Sequence, residues 1–294
     1  MRKLRQHFRA DPLAAVMKLR DVASRASSHV SQFAVLPALL IVCAASPSAA
    51  HQKWLWPSHF FVEKAPVWLS FDITWSDIAF GAEKGVGEQP ISVVDPTGQR
   101  QTPASVFTGR TKSTAEFEAT KDGTYRLEAV DPLTYWTRIE RDGQEKWLKK
   151  PKDEVAEAKI TRADYYWAKA VAYVTVGKHT EIAPPDKTDP LDLVLSSHPN
   201  EITARDEFEI SALTYGEPLP DAQIKVFGPN ATGHEPEQIV TCNSKGWGKL
   251  RFGVVGKHLV VCELERQVTD DPHADMHSFH FYLTIDVHPP NEKE

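Results

Sequence analysis

Residues 66–75 read PVWLSFDITW, and their alternation decides the fold class. Val67, Leu69, Phe71, Ile73 and Trp75 fall on one side of an extended chain, with Trp68, Ser70, Asp72 and Thr74 on the other. A two-residue period is that of a β-strand with one face on a core. The same grammar recurs in PISVVDPTG (90–98). TAEFEATKDGTYRLEAV (114–130) reads as a hairpin about Asp122-Gly123, and YWTRIERDGQEKWLK (135–149) as another about Asp142-Gly143. Toward the end of the chain, FHFYLTIDV (279–287) sets Phe279, Phe281, Leu283, Ile285 and Val287 inward. The expected class is all-β, with one exception. KDEVAEAKITRADYYWAKA (152–170) is rich in Ala, Glu and Lys without Gly or Pro, and predicts a short helical excursion.

The proline-rich stretch APPDKTDP (183–190) reads as a linker. It divides an N-terminal β domain (51–185) from a C-terminal one (188–294). In the latter, about seven short strands in roughly 100 residues match an immunoglobulin- or fibronectin-like sandwich. Two antiparallel β-sandwich domains in tandem are therefore expected.

The first fifty residues differ in kind. Basic residues precede a 13-residue apolar run, FAVLPALLIVCAA (33–45), followed by SPSAA, with Ser48 and Ala50 at the −3 and −1 positions of a cleavage site. The pattern predicts a signal peptide removed after Ala50, with translation starting at Met1 or Met17, and a periplasmic product without a membrane span. Cys43 follows Val42 rather than a small residue and reads as part of the apolar run, not as a lipid anchor. The 294-residue chain has formal charge −6, and without the seven basic and two acidic residues of 1–50 it has −11. Such a balance argues against nucleic acid or anionic lipid as partner. Cys242 and Cys262, alone in the exported part, predict one disulfide.

Ten histidines follow Ala50. HADMHSFH (273–280) places His273, Asp275, Met276, His277 and His280 within eight residues, a donor set suited to Ni, Co, Zn or Cu. His51 offers more. Cleavage ahead of it joins an α-amino group and Nδ1 in one residue, a bidentate chelate denied to internal histidines. Both nitrogens lose their protons readily to a metal near neutral pH. A copper histidine brace would need a second, distant histidine. No GxSxG, GxxxxGK[ST] or GxGxxG run supports hydrolase or nucleotide chemistry, and no enzyme activity is expected.

The start HQKWLWP (51–57), AKAVAYVTVG (168–177), GEPLPDAQIKVFGP with TCNSKGWGKLRF (216–229, 241–252) and FYLTIDV (281–287) together resemble the secreted family catalogued as domain of unknown function 4198. Its members carry the label of periplasmic component of a cobalt/nickel transport system. Of the site residues, the resemblance implies His51 alone, and Cys242 and Cys262 depart from the family pattern. The expected function is a periplasmic accessory protein that binds a divalent transition metal, nickel or cobalt ahead of copper or zinc. It would do so through His51, His273, His277 and His280 and pass the ion to a membrane transporter. The alternative is a β-sandwich module that binds a polysaccharide or an outer-membrane receptor without metal.

Overall fold

The computed structural model describes residues 51–87, 89–156 and 158–290. The expected signal peptide and its cleavage site lie outside the described residues. The first strands are β1 (Gln52–Pro57), β2 (Phe61–Val62), β3 (Val67–Ser76), β4 (Lys84–Gly85), β5 (Ile91–Val94), β6 (Arg100–Gln101), β7 (Ser105–Thr108) and β8 (Ser113–Ala119). Next come β9 (Gly123–Arg141), β10 (Gln144–Leu148), β11 (Lys159–Val176), β12 (Asp192–Leu195) and β13 (Glu207–Thr214). The chain then forms β14 (Glu217–Pro218), β15 (Gln223–Phe227), β16 (Gln238–Thr241), β17 (Trp247–Arg251), β18 (Gly256–Gln267) and β19 (Met276–Val287). Short 3₁₀ turns at Lys152–Glu154 and Pro199–Glu201 are the sole helical elements among the described residues, and neither can cross a membrane.

Three sheets result. A central one runs β16-β15-β18-β19-β11-β9-β5-β6, with β10 and β2 on its margins. One outer sheet runs β1-β3-β8-β7 with β4 beside β3, and the other is built from β12, β13, β14 and β17. Side-chain alternation on the central strands feeds two cores. Ala168, Ala170, Ala172, Val174 and Val176 of β11 join Leu55, Phe71, Ile73 and Phe117 of the first outer sheet. Trp167 and Val171, with Phe279, Phe281, Leu283 and Ile285 of β19, join Leu193, Ile210 and Leu250 of the second. The central sheet is thus covered on both faces.

This arrangement corrects several expectations. Strands of both halves share the central sheet, so the chain does not form two separate sandwiches in tandem. The join is a parallel pair, β11 with β19, from Asp164–Met276 to Ala172–Thr284, within an otherwise mostly antiparallel sheet. The turn at Asp122-Gly123 is not a hairpin: β8 pairs β3 and β7, whereas β9 pairs β5, β10 and β11, so the chain crosses here from one sheet to another. At Asp142-Gly143 the expected hairpin does form, both residues at positive φ (54° and 72°) as a type I′ turn requires.

Residues 159–176 are a strand, not a helix. Helix propensity is outweighed by burial between two layers, where alanines every second residue let the facing sheet approach closely. Lys169 points into the opposite layer, 3.1 Å from the fully buried Glu128 and 2.7 Å from Asp189. Glu128 also pairs with Arg126 at 2.8 Å and with Arg100. Burial alone would raise the Glu128 carboxyl, but Lys169, Arg126 and Arg100 together hold it below the usual carboxylate range.

Cys242 and Cys262 are both buried and both free, so the expected disulfide is absent. The reason lies in the register. Cys262 pairs with Ile224 of β15, and Cys242 bonds through its amide to Ala222 on the other side of the same strand. A whole strand intervenes, which at about 4.8 Å per strand puts the Cα atoms beyond disulfide reach. Burial pushes the Cys262 thiol up to about 12, with Cys242 adding to the effect.

Candidate metal centre

His51 stands one step beyond the first pair of the β1–β3 ladder, Gln52 with Ser76, and so faces Asp77. Its Nε2 lies 3.3 Å from Asp77 Oδ1, with the imidazole 59% and the carboxylate 47% exposed. This contact uses the nitrogen remote from the backbone and leaves Nδ1, the one that can chelate with the α-amino group. Below the ring the strand is firmly seated. Tyr282 of β19 donates its hydroxyl to the His51 carbonyl at 3.4 Å, and Leu55 is fully buried. Lys53 is also fully buried, its Nζ 2.6 Å from Gln89 Oε1 and 3.3 Å from Asp131 Oδ2. Burial lowers the Lys53 ammonium and raises the Asp131 carboxyl, and their pairing opposes both shifts.

The cluster expected at 273–280 is divided by the sheet. His277 sits on the face of Phe279, its ring centroid 5.4 Å from that of Tyr165. His280 projects from the opposite face, stacked at 6.2 Å on Tyr282. It is nearly buried, with Nε2 2.8 Å from Ser278 Oγ and Nδ1 3.5 Å from Glu263 Oε1. Burial would raise Glu263, but His280 and Lys225 outweigh it and hold the carboxyl at about 2. His273 and His277 meet around Asp271, whose Oδ1 accepts the His273 amide at 2.8 Å and whose Oδ2 lies 3.4 Å from His277 Nε2. The His273 Nδ1 instead engages Asp153 at 2.8 Å, which raises its pKa. His51 adjoins β1 of the first outer sheet and His280 belongs to the central one, and Tyr282 touches both, through the His51 carbonyl and the His280 ring. The four histidines therefore do not converge, and among the described residues no group of three or more His, Cys, Asp or Glu is arranged to hold an ion.

Three of the remaining histidines, His179, His198 and His258, are otherwise engaged. His179 and His198 stack at 4.4 Å, with His179 Nδ1 2.5 Å from Glu201. His198 Nδ1 accepts the Asn200 amide, so Nε2 carries the proton and donates to Thr124 Oγ1 at 2.9 Å. Burial first, and His179 second, push its pKa down to about 4. His258 is fully buried against Phe252, its Nδ1 on the Gly256 carbonyl. Sequence reasoning missed Asp77 and Tyr282. The antiparallel fit of HQKWLWP onto VWLSFDITWSD places Asp77 across from His51 and was a signal for the first, whereas Tyr282 needed the central sheet.

The architecture defines a layered all-β protein, a central sheet covered on each face by a smaller one. The chain belongs to the family described as Domain of unknown function (DUF4198), whose model matches residues 48–266. No curated protein matches it in sequence. Among solved structures, the fibronectin(III)-like modules of Clostridium thermocellum CbhA are 12% identical, with 82% of this chain and 97% of that one covered at a TM-score of 0.20. The D0-D1 domain of intimin is 12% identical over 79% and 97%, at a TM-score of 0.19. A marsupial T cell receptor is 12% identical over 82% and 75%, also at 0.19. At these TM-scores no functional argument rests on any of the three.

Proposed function

We propose that the chain is exported, cut after Ala50, and serves in the periplasm as a binding protein for Ni²⁺ or Co²⁺, which it hands to a membrane transporter. The observation that supports this reading is the placement of His51: exposed, at the head of β1, with Nε2 on Asp77 and no partner on Nδ1 among the described residues. A carboxylate on the outer nitrogen of a metal-binding imidazole fixes its tautomer and raises its basicity. Cleavage would then add the α-amino nitrogen and close a chelate that the uncut chain lacks. Nitrogen donors of this kind suit Ni²⁺, Co²⁺, Cu²⁺ and Zn²⁺, and the nickel or cobalt preference comes from the family resemblance. A formal charge of −11 on residues 51–294 favours cation capture. Few, exposed ligands allow ready exchange, which delivery requires.

Calorimetric titration of Ni²⁺ and Co²⁺ into protein that begins at His51 tests the reading. His51→Ala is expected to weaken binding at least tenfold and Asp77→Asn by a smaller factor. Unchanged affinity in His51→Ala would remove this residue from the site.

A further inference from the structure

One face of the β1-β3-β8-β7 sheet packs on the core, and the other is open. The register places Trp56, Asp72, Thr114 and Phe107 in one row across the four strands of that open face. Ser70, Glu116 and Ser105 form the next row, and Trp68 with Glu118 the one after. Trp68 is 60% and Phe107 73% exposed, more than any other large apolar side chain among the described residues. Lys257 covers Trp56 with its ammonium 3.7 Å from the ring, so Trp68 and Phe107 are the bare rings. Four residues along the strands and two strands across separate them by about 16 Å.

Polar groups fill the space between. Asp72 accepts from Thr114 Oγ1 and from Lys112 Nζ, both at 2.6 Å, and Ser105 donates to Glu116 at 2.9 Å. Two bare aromatic rings frame the face, and Asp72, Thr114, Ser105 and Glu116 are hydrogen-bonded between them.

We propose that this face binds a neutral glycan chain that spans Trp68 and Phe107. Pyranose rings carry apolar C–H faces that lie against aromatic rings, and hydroxyls that donate to Asp72, Glu116 and Glu118 and exchange bonds with Ser70, Ser105 and Thr114. An apolar protein partner would bury Glu116 and Glu118, which have no ion-pair partner among the described residues, at a large desolvation cost. Anionic polymers are repelled by the same carboxylates and by the −11 formal charge of residues 51–294. A strand added at the β7 edge would satisfy its backbone but leave Trp68 unused. The site is independent of the His51 reading.

An array of neutral glucans, mannans, xylans and galactans, probed with the purified protein with and without EDTA, tests this. At least one neutral glycan is expected to retain the protein, with EDTA of no effect. Trp68→Ala and Phe107→Ala should each weaken retention at least tenfold. Trp147→Ala, whose half-exposed ring lies under Arg138 on another hairpin, should not. Both target rings are solvent-exposed, and an unchanged thermal midpoint confirms that the variants fold. Four results would overturn the proposal: no neutral glycan retained, retention unaffected by either substitution, retention by anionic polymers alone, or retention lost with EDTA. Self-association abolished by Phe107→Ala, without glycan binding, would assign the face to a second copy of the chain.

Discussion

Glu128→Gln removes one charge from the core at nearly constant shape. Glu128 has no exposed side-chain surface, and its oxygens serve Lys169 at 3.1 Å, Arg126 at 2.8 Å and Arg100. Lys169 keeps Asp189 at 2.7 Å, but Arg126, only 11% exposed, loses its carboxylate partner. Breaking one side of such a buried network costs about 3–5 kcal/mol, because a desolvated cation is left without its counter-charge. For a domain of this size that is a fall of about 6–20 °C in thermal midpoint. The pH dependence follows from the depressed carboxyl. Stability from the ion pairs is fully present above the unfolded glutamate value of about 4.3 and lost as pH falls through the lower folded value. Differential scanning calorimetry at pH 7 and pH 3, with exposed Glu118→Gln as control, measures both. A Glu128→Gln midpoint within about 3 °C of wild type at pH 7 would refute the account of the buried ion-pair network around Glu128.

Leu283→Ala, on a strand buried on both faces, should cost about 2–5 kcal/mol by denaturant titration. Because Cys242 and Cys262 are free, a reductant should leave the thermal midpoint unchanged, and thiol titration in denaturant should count two thiols in a chain of residues 51–294. The His198 imidazole should stay neutral in NMR titration down to about pH 5, with its folded value near 4, whereas His273 should titrate above the ordinary histidine value. A His198 midpoint at or above 6.5 would show that the stacked pair with His179 is not formed.

Strand content was legible in the sequence wherever one face is polar. PVWLSFDITW alternates because its outer face is open, and the Asp142-Gly143 hairpin declares itself by turn chemistry. What stayed hidden belongs to the central sheet. Ala168, Ala170 and Ala172 alternate with residues that are themselves buried, so the period-two signal was masked by composition and the segment resembled a helix. FHFYLTIDV announced one inward face, but His280, Tyr282 and Thr284 enter a second core that only the first outer sheet supplies. For the same reason HADMHSFH looked like a single donor cluster. Three residues along a strand invert the face, and His277 and His280 part company. The cysteines failed as a pair because sequence counts thiols, not the strands between them. His51 was legible as a chemical group, and Asp77 beside it became visible once β1 was registered against β3.

The central claim is that cleavage at His51 makes the metal site. Its most direct test is the Ni²⁺ affinity of the chain that begins at His51 against the same chain with one glycine ahead of it. Both share every side chain and differ at the α-amino group. A loss of at least tenfold on extension is expected. Equal affinities would contradict the account.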